Sequence, residues 1–133
     1  MELIAATRVA RAQTRSRAAR PYSEQLTGVI EDLAAGGADV NHPLLREVET
    51  PQNVAFIACA GDRGLAGPYN SGIVRSAEAE IQAVRSEGQD YHLICVGKKV
   101  ADYFKFRGYK IDSEYAGFTD NPTYEDALSL IHI

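Results

Sequence analysis

The stretch Val54-Ala55-Phe56-Ile57-Ala58-Cys59-Ala60-Gly61-Asp62-Arg63-Gly64-Leu65-Ala66-Gly67-Pro68-Tyr69 decides how the rest of the chain is read. Val54–Cys59 is a short apolar run, the pattern of a strand buried on both faces. A glycine-rich loop over 61–70 follows. Beyond it the period changes: Ile73, Val74, Ala77, Ile81 and Val84 share one face of a helix over 71–86, and Gly88 ends it.

A second strand and helix follow, with no internal repeat in the sequence. Tyr91–Val96 reads as a second buried strand, and 98–107 as a short helix with Val100, Ala101 and Phe104 on one side, closed by Gly108. Tyr109–Tyr115 reads as a third strand, more polar and nearer an edge. Thr119–Pro122 is a turn that starts another helix at Thr123. The order strand, helix, strand, helix, strand implies parallel strands joined by right-handed crossovers.

Upstream lies a different region. Residues 1 to about 35 are rich in Ala, Leu, Arg, Gln and Glu, all strong helix formers. Tyr22, Leu26, Val29, Ile30 and Leu33 fall on one face, and Gly36 with Gly37 supplies the stop. Pro21 removes a hydrogen bond and crowds the preceding turn, so propensity predicts two helices or one kinked helix. Between Val9 and Tyr22 there is no large aliphatic residue. Ala10, Ala12, Ala18 and Ala19 keep that half slim, while Arg8, Arg11 and Arg15 share a face. A slim basic helix without a self-sufficient apolar stripe needs a partner. Residues 38–52, with Pro43 and Pro51, read as a polar connector.

Charge supports this division. The chain has a net charge of -4, yet its first 22 residues carry five arginines against Glu2 alone. A basic arm on an acidic body suits an acidic partner and argues against a nucleic-acid-binding protein. No apolar run approaches the ~20 residues of a membrane helix, and there is no secretory h-region. The Arg-rich, acid-poor residues 7–20 also resemble a mitochondrial transit peptide, although the helical pattern continues past them. Cys59 and Cys95 each sit in an apolar run without a CxxC pair, as reduced core thiols do.

The loop after the first strand stands where a phosphate cradle would. Its spacing is neither GxGxxG nor a loop ending in GK[ST], and the next acidic residues, Glu78 and Glu80, fall within a helix. A small α/β nucleotide-binding module is therefore the alternative reading. His42, His92 and His132 have no metal-ligand spacing, and Ser71 and Ser76 lack a nucleophile-elbow context. No constellation argues for an enzyme, a cofactor or a metal.

Four blocks carry a resemblance. They are Met1-Glu2-Leu3-Ile4-Ala5-Ala6-Thr7-Arg8 with Ala19-Arg20-Pro21-Tyr22; Asp62-Arg63-Gly64-Leu65-Ala66-Gly67-Pro68-Tyr69-Asn70-Ser71; Val96-Gly97-Lys98-Lys99 with Tyr103-Phe104-Lys105-Phe106-Arg107-Gly108-Tyr109; and Asp120-Asn121-Pro122-Thr123-Tyr124-Glu125-Asp126-Ala127. In this order they resemble the γ subunits of F-type ATP synthases. The family often has cysteine at Ala66, glycine at Pro68 and asparagine at Gly72, so no role rests on those side chains.

The resemblance implies an α/β fold: a long N-terminal helix over 1–37, half of an antiparallel coiled coil, then a small Rossmann-like parallel three-layer α/β domain over 53–127. It favours one bent helix through Pro21. It implies a non-catalytic rotor of the central stalk that couples proton-driven c-ring rotation to ATP synthesis. Expected partners are the α and β subunits, the ε subunit and the c ring, peripheral to a bacterial plasma membrane on its cytoplasmic side. Met1, Arg8, Arg11, Arg15, Asp62, Arg63 and Asn70 are the candidate interface residues, the last three holding or presenting the loop towards β. The resemblance also implies missing pieces: a basic segment before Met1 and a long C-terminal helix. Leu128-Ser129-Leu130-Ile131-His132-Ile133 matches the translation of a common sequencing adapter and is expected to be an artefact; the alternative is an ordinary apolar strand.

Overall fold

The structure is a computed structural model that describes residues 2–35, 48–117 and 122–131. The chain divides into two compact units, Met1–Val48 and Glu49–Ile133, each considered by itself. The expected glycine stop at 36–37, most of the connector and the turn at 119–121 lie outside the described residues.

Among its described residues the first unit contains one helix, α1 (Glu2–Ala35), which runs through Pro21 without interruption. Of the two readings that propensity allowed, the single helix is the one adopted. Proline cannot donate to the carbonyl one turn back, a defect that costs about 3 kcal/mol in a helix interior. Thirty-four residues span about 50 Å at the usual rise. The stripe at Tyr22, Leu26, Val29, Ile30 and Leu33 stays 43–72% exposed. Lone helices are held mostly by packing of such a face, so α1 presents an apolar stripe that a further chain segment or partner must cover.

The second unit is built on a parallel sheet in the order β1 (Asn53–Cys59), β2 (Asp90–Val96), β3 (Ser113–Tyr115). Helices α2 (Tyr69–Ser86) and α3 (Lys98–Phe106) are the crossovers. Val74 and Ile81 of α2, Val100, Ala101 and Phe104 of α3, and Ala58, Leu93 and Cys95 of the strands form one buried cluster. Both helices therefore cover the same sheet face, as right-handed crossovers running in one direction require. Phe104 is at its centre, fully buried, with its ring edge-to-face to Tyr103 and Tyr109 at 5.4 and 5.1 Å between centroids.

The two helices end alike. Gly88 N–H donates to the Arg85 carbonyl and Gln89 N–H to Val84; Gly108 N–H donates to Lys105 and Tyr109 N–H to Phe104. These are the paired bonds of a Schellman stop. Between the helices, the Glu78 carboxylate accepts from the Tyr103 and Tyr109 hydroxyls at 2.9 and 3.0 Å and from Arg107 Nη2 at 3.0 Å. Those donors, Tyr103 first, hold its pKa below the usual glutamate value.

The other sheet face carries Ala55, Ile57 and Cys59 on β1 and Ile94 and Val96 on β2, by strand alternation. On that face Tyr115 donates its hydroxyl to the Ser129 carbonyl of α4 (Tyr124–Ile131), so α4 begins a third layer there. Helix α4 opens on a reciprocal cap: Thr123 N–H and Oγ1 bond Asp126 Oδ2, and Asp126 N–H returns to Thr123 Oγ1. Leu128–Ile131 is helical, not the strand that its apolar pattern also allowed. At β1 the expected burial on both faces fails: Ile57 stays 54% exposed, and Cys59 is an exposed thiol and not the core thiol its apolar run suggested, because little of the outer face of this edge strand is covered.

The third strand is shorter than expected. Only Ser113–Tyr115 pairs with β2, whereas the pattern suggested a start at Tyr109. Side chains take the bonds that a longer strand would have used. The Asp112 carboxylate accepts from Leu93 N–H at 2.9 Å, and the Tyr91 hydroxyl accepts from Lys110 N–H at 3.2 Å. The Leu93 bond chiefly, with His92 and Lys110 beside it, keeps Asp112 below the ordinary aspartate pKa.

Candidate functional site

The glycine-rich loop lies at the carboxyl ends of the strands, where parallel α/β sheets place their functional loops. Its base is tightly stitched. Ala60 N–H donates to the Val96 carbonyl at 2.8 Å, Gly97 N–H to Tyr115 at 2.7 Å, and Lys99 N–H to Gly61 at 3.2 Å. Gly97 is the hinge of this arrangement. It sits at φ 103° and ψ 141° ahead of α3, a region that is essentially glycine's alone. A Cβ there would overlap the Ala60 carbonyl oxygen.

Because only glycine fits, the residue before α3 has no side chain to cap the helix. Asp62 supplies the cap from a distance of 36 residues. Its Oδ1 accepts from Lys98 N–H at 2.8 Å, and its Oδ2 accepts from Gly117 N–H at 3.0 Å. Asn70, in the first turn of α2, closes the loop from the other side. Its Oδ1 accepts from Gly61 N–H at 3.0 Å, and its Nδ2 donates to the Arg63 carbonyl at 3.2 Å. Two of the three loop candidates thus hold the loop, while Arg63 lies on its exposed part.

What they hold is an outward turn. Residues 63–69 are exposed throughout, and Leu65 is fully exposed at φ 61°. A branched residue in the left-handed region is uncommon and costs roughly 1–2 kcal/mol. The Tyr69 hydroxyl, bonded to the Cys59 carbonyl at 3.3 Å, roofs one end of an apolar groove along β1 and α2 lined by Phe56, Ile57, Cys59, Ile73 and Ala77.

The arrangement is poorly suited to phosphate. The dipole end of α3 already faces the Asp62 carboxylate, which repels a second anion. Ligand crevices in such sheets form where strand order reverses, and the described strands run β1-β2-β3 without reversal. Cys95 is buried beside Glu114, and burial chiefly pushes its pKa up to about 11, so it is an inert thiol.

In α1, Arg8, Arg11 and Arg15 are all exposed and share a face, as their spacing requires. Met1 lies outside the described residues. Sequence reading missed Leu65, Gly97 and Gly117. The signal for Gly97 was its place between a buried strand and a helix that lacks a capping residue.

The described residues thus comprise a long helix with an exposed apolar stripe and a parallel α/β unit with an outward loop. The comparisons identify the family. The family described as ATP synthase matches residues 1–133. The chain is 44% identical over 129 residues to the ATP synthase gamma chain of Mycolicibacterium vanbaalenii, covering 97% of this chain and 41% of that one. It is 44% identical over 130 residues to the corresponding chain of Frankia casuarinae, covering 98% and 43%. A solved central stalk and c-ring structure of the Tetrahymena thermophila mitochondrial ATP synthase superposes with a TM-score of 0.73 at 20% identity, over 99% of this chain and 55% of that one. The chain belongs to the ATP synthase γ-chain family. It spans about two fifths of the length of these curated relatives. No described helix is long and apolar enough to cross a membrane.

Proposed function

We propose that this chain is part of the central-stalk rotor of a proton-translocating F-type ATP synthase, coupling c-ring rotation to ATP synthesis at the α/β ring. In this reading it makes and breaks no bond itself. Rotation of an asymmetric shaft changes the affinities of catalytic sites on other subunits. Its partners are the α and β subunits, ε and the c ring, at the cytoplasmic side of a bacterial plasma membrane.

The observation that carries the reading is α1. A helix of this length, apolar along Tyr22–Leu33 and exposed there, needs an antiparallel mate, as half of a coiled coil does. Its other half is slim and bears the Arg8, Arg11 and Arg15 row, which suits close passage beside acidic loops of β. The loop held by Asp62 and Asn70 is the second contact, presented towards β.

The test is co-assembly. A full-length subunit carrying this sequence, mixed with its cognate α and β subunits, is expected to form a complex that hydrolyses ATP. Charge reversal of Arg8, Arg11 and Arg15 together should weaken that complex. A full-length subunit that stays apart from α and β ends the proposal, as would saturable nucleotide binding by the chain that is lost on changing Gly64.

A further inference from the structure

We propose that Asp62 is a positioning residue, a clip through which force on the exposed loop 63–69 passes into α3 and the end of β3. The inference rests on the rotor reading and specifies how its second contact is made stiff.

Three observations carry it. The first is geometry. One carboxylate bonds two backbone N–H groups, Lys98 at the start of α3 and Gly117 just past β3. These belong to segments that main-chain bonds also join to the loop base. The second is necessity. Gly97 cannot be replaced by a capping residue, because a Cβ would strike the Ala60 carbonyl; the cap must come from elsewhere, and Asp62 provides it. The third is what the clip serves. Arg63 follows Asp62 directly, and Leu65 beyond it is fully exposed in a left-handed conformation. Such a conformation persists only where its surroundings over-determine it. Asn70 fixes the loop's return side on α2, and Asp62 fixes its departing side on α3 and β3. The loop is thereby braced against both crossovers of the sheet. A load on Leu65 is carried by the whole α/β unit and does not simply bend a hinge.

The experiment uses the full-length subunit in the complete membrane-embedded complex with α, β and the c ring, in wild-type form and as Asp62→Ala and Asp62→Asn. Amide exchange and protons pumped per ATP hydrolysed are both read. In Asp62→Ala, the Lys98, Gly117 and 63–67 amides should exchange about tenfold faster or more, the scale of losing hydrogen bonds to a charged acceptor. The β2 amides should stay within about twofold, and pumping per ATP should fall while the complex still assembles. Asp62→Asn keeps one acceptor oxygen and should fall between. If Asp62→Ala also loosens β2, it has unfolded the unit and Asp62→Asn becomes the deciding variant. Unchanged Lys98 exchange would overturn the clip. Faster loop exchange with unchanged pumping would overturn its mechanical role. If wild-type subunit fails to assemble, the rotor reading has failed instead, and the exchange data alone decide whether the clip exists.

Discussion

Replacing Gly97 by alanine should cost far more than the same change at the other glycines of positive φ. Three effects combine at Gly97. The backbone region it occupies (φ 103°, ψ 141°) costs a residue with a Cβ about 1–3 kcal/mol. The Cβ would also overlap the Ala60 carbonyl oxygen. Relieving that overlap separates the β1 and β2 ends, where Ala60 N–H bonds Val96, Gly97 N–H bonds Tyr115 and Lys98 N–H bonds Asp62. Each such bond contributes about 0.5–1.5 kcal/mol net, and more to a charged acceptor. The sum is about 3–7 kcal/mol. A unit of this size has about 4–12 kcal/mol in all. Gly88→Ala is the internal control, because Gly88 also has positive φ but nothing within 4 Å of its added Cβ; it should cost about 1–2 kcal/mol. Equilibrium urea unfolding followed by near-ultraviolet circular dichroism suits a chain with seven tyrosines and no tryptophan. The reasoning is refuted if the two variants lie within about 1 kcal/mol of each other, an interval no larger than the strain they share.

Other outcomes follow from the same structure. Phe104→Ala empties the centre of the cluster and should cost about 3–5 kcal/mol in the same unfolding assay. Acid should destabilise the α/β unit through Glu78 and Asp112. Both have folded pKa values below their ordinary 4.5 and 3.8, so their stabilisation is complete above those values and is lost as pH falls through the depressed ones. A urea midpoint that does not fall between pH 5 and pH 3 would contradict this. Thiol labelling at pH 8 should modify exposed Cys59 rapidly, while Cys95, at about 11 and buried, reacts only on unfolding. Equal rates for both would be wrong for this core. Leu65→Asp should leave the unit no less stable, because aspartate tolerates the left-handed region better than leucine, yet weaken assembly with α and β in a pull-down titration. Amides of residues 5–20 should exchange rapidly in the monomeric chain, and strong protection there would mean that α1 already has its partner.

The elements set by local pattern were legible in the sequence. β1, β2, α2 and α3 each have a clear period and a glycine or turn at the boundary. Their core faces, Val74 with Ile81 and Val100 with Phe104, are those the spacing indicated. Helix α1 was legible as helix, but Pro21 left its continuity open to propensity alone. What stayed hidden depends on side chains reaching across the fold. The start of β3 is displaced by Asp112 and Tyr91, each acting across 19 residues. The loop could be read as glycine-rich and badly spaced for phosphate. That Asp62 caps a helix far along the chain could not be read, because nothing in a linear pattern pairs a carboxylate with a distant backbone N–H. Asn70 was readable as a candidate only through the resemblance.

Asp62 also sets a timetable. Its two acceptor oxygens wait for donors 36 and 55 residues further on. A ribosome adding about 5–20 residues per second needs roughly 3–11 s to deliver the second one. During that interval β1 and its loop exist without their anchor, and Leu65, Tyr69 and the apolar edge of β1 are all uncovered. The nascent chain is then most open to mispairing and to capture by chaperones. A residue that stiffens the finished unit is, during synthesis, among the last of its parts to engage.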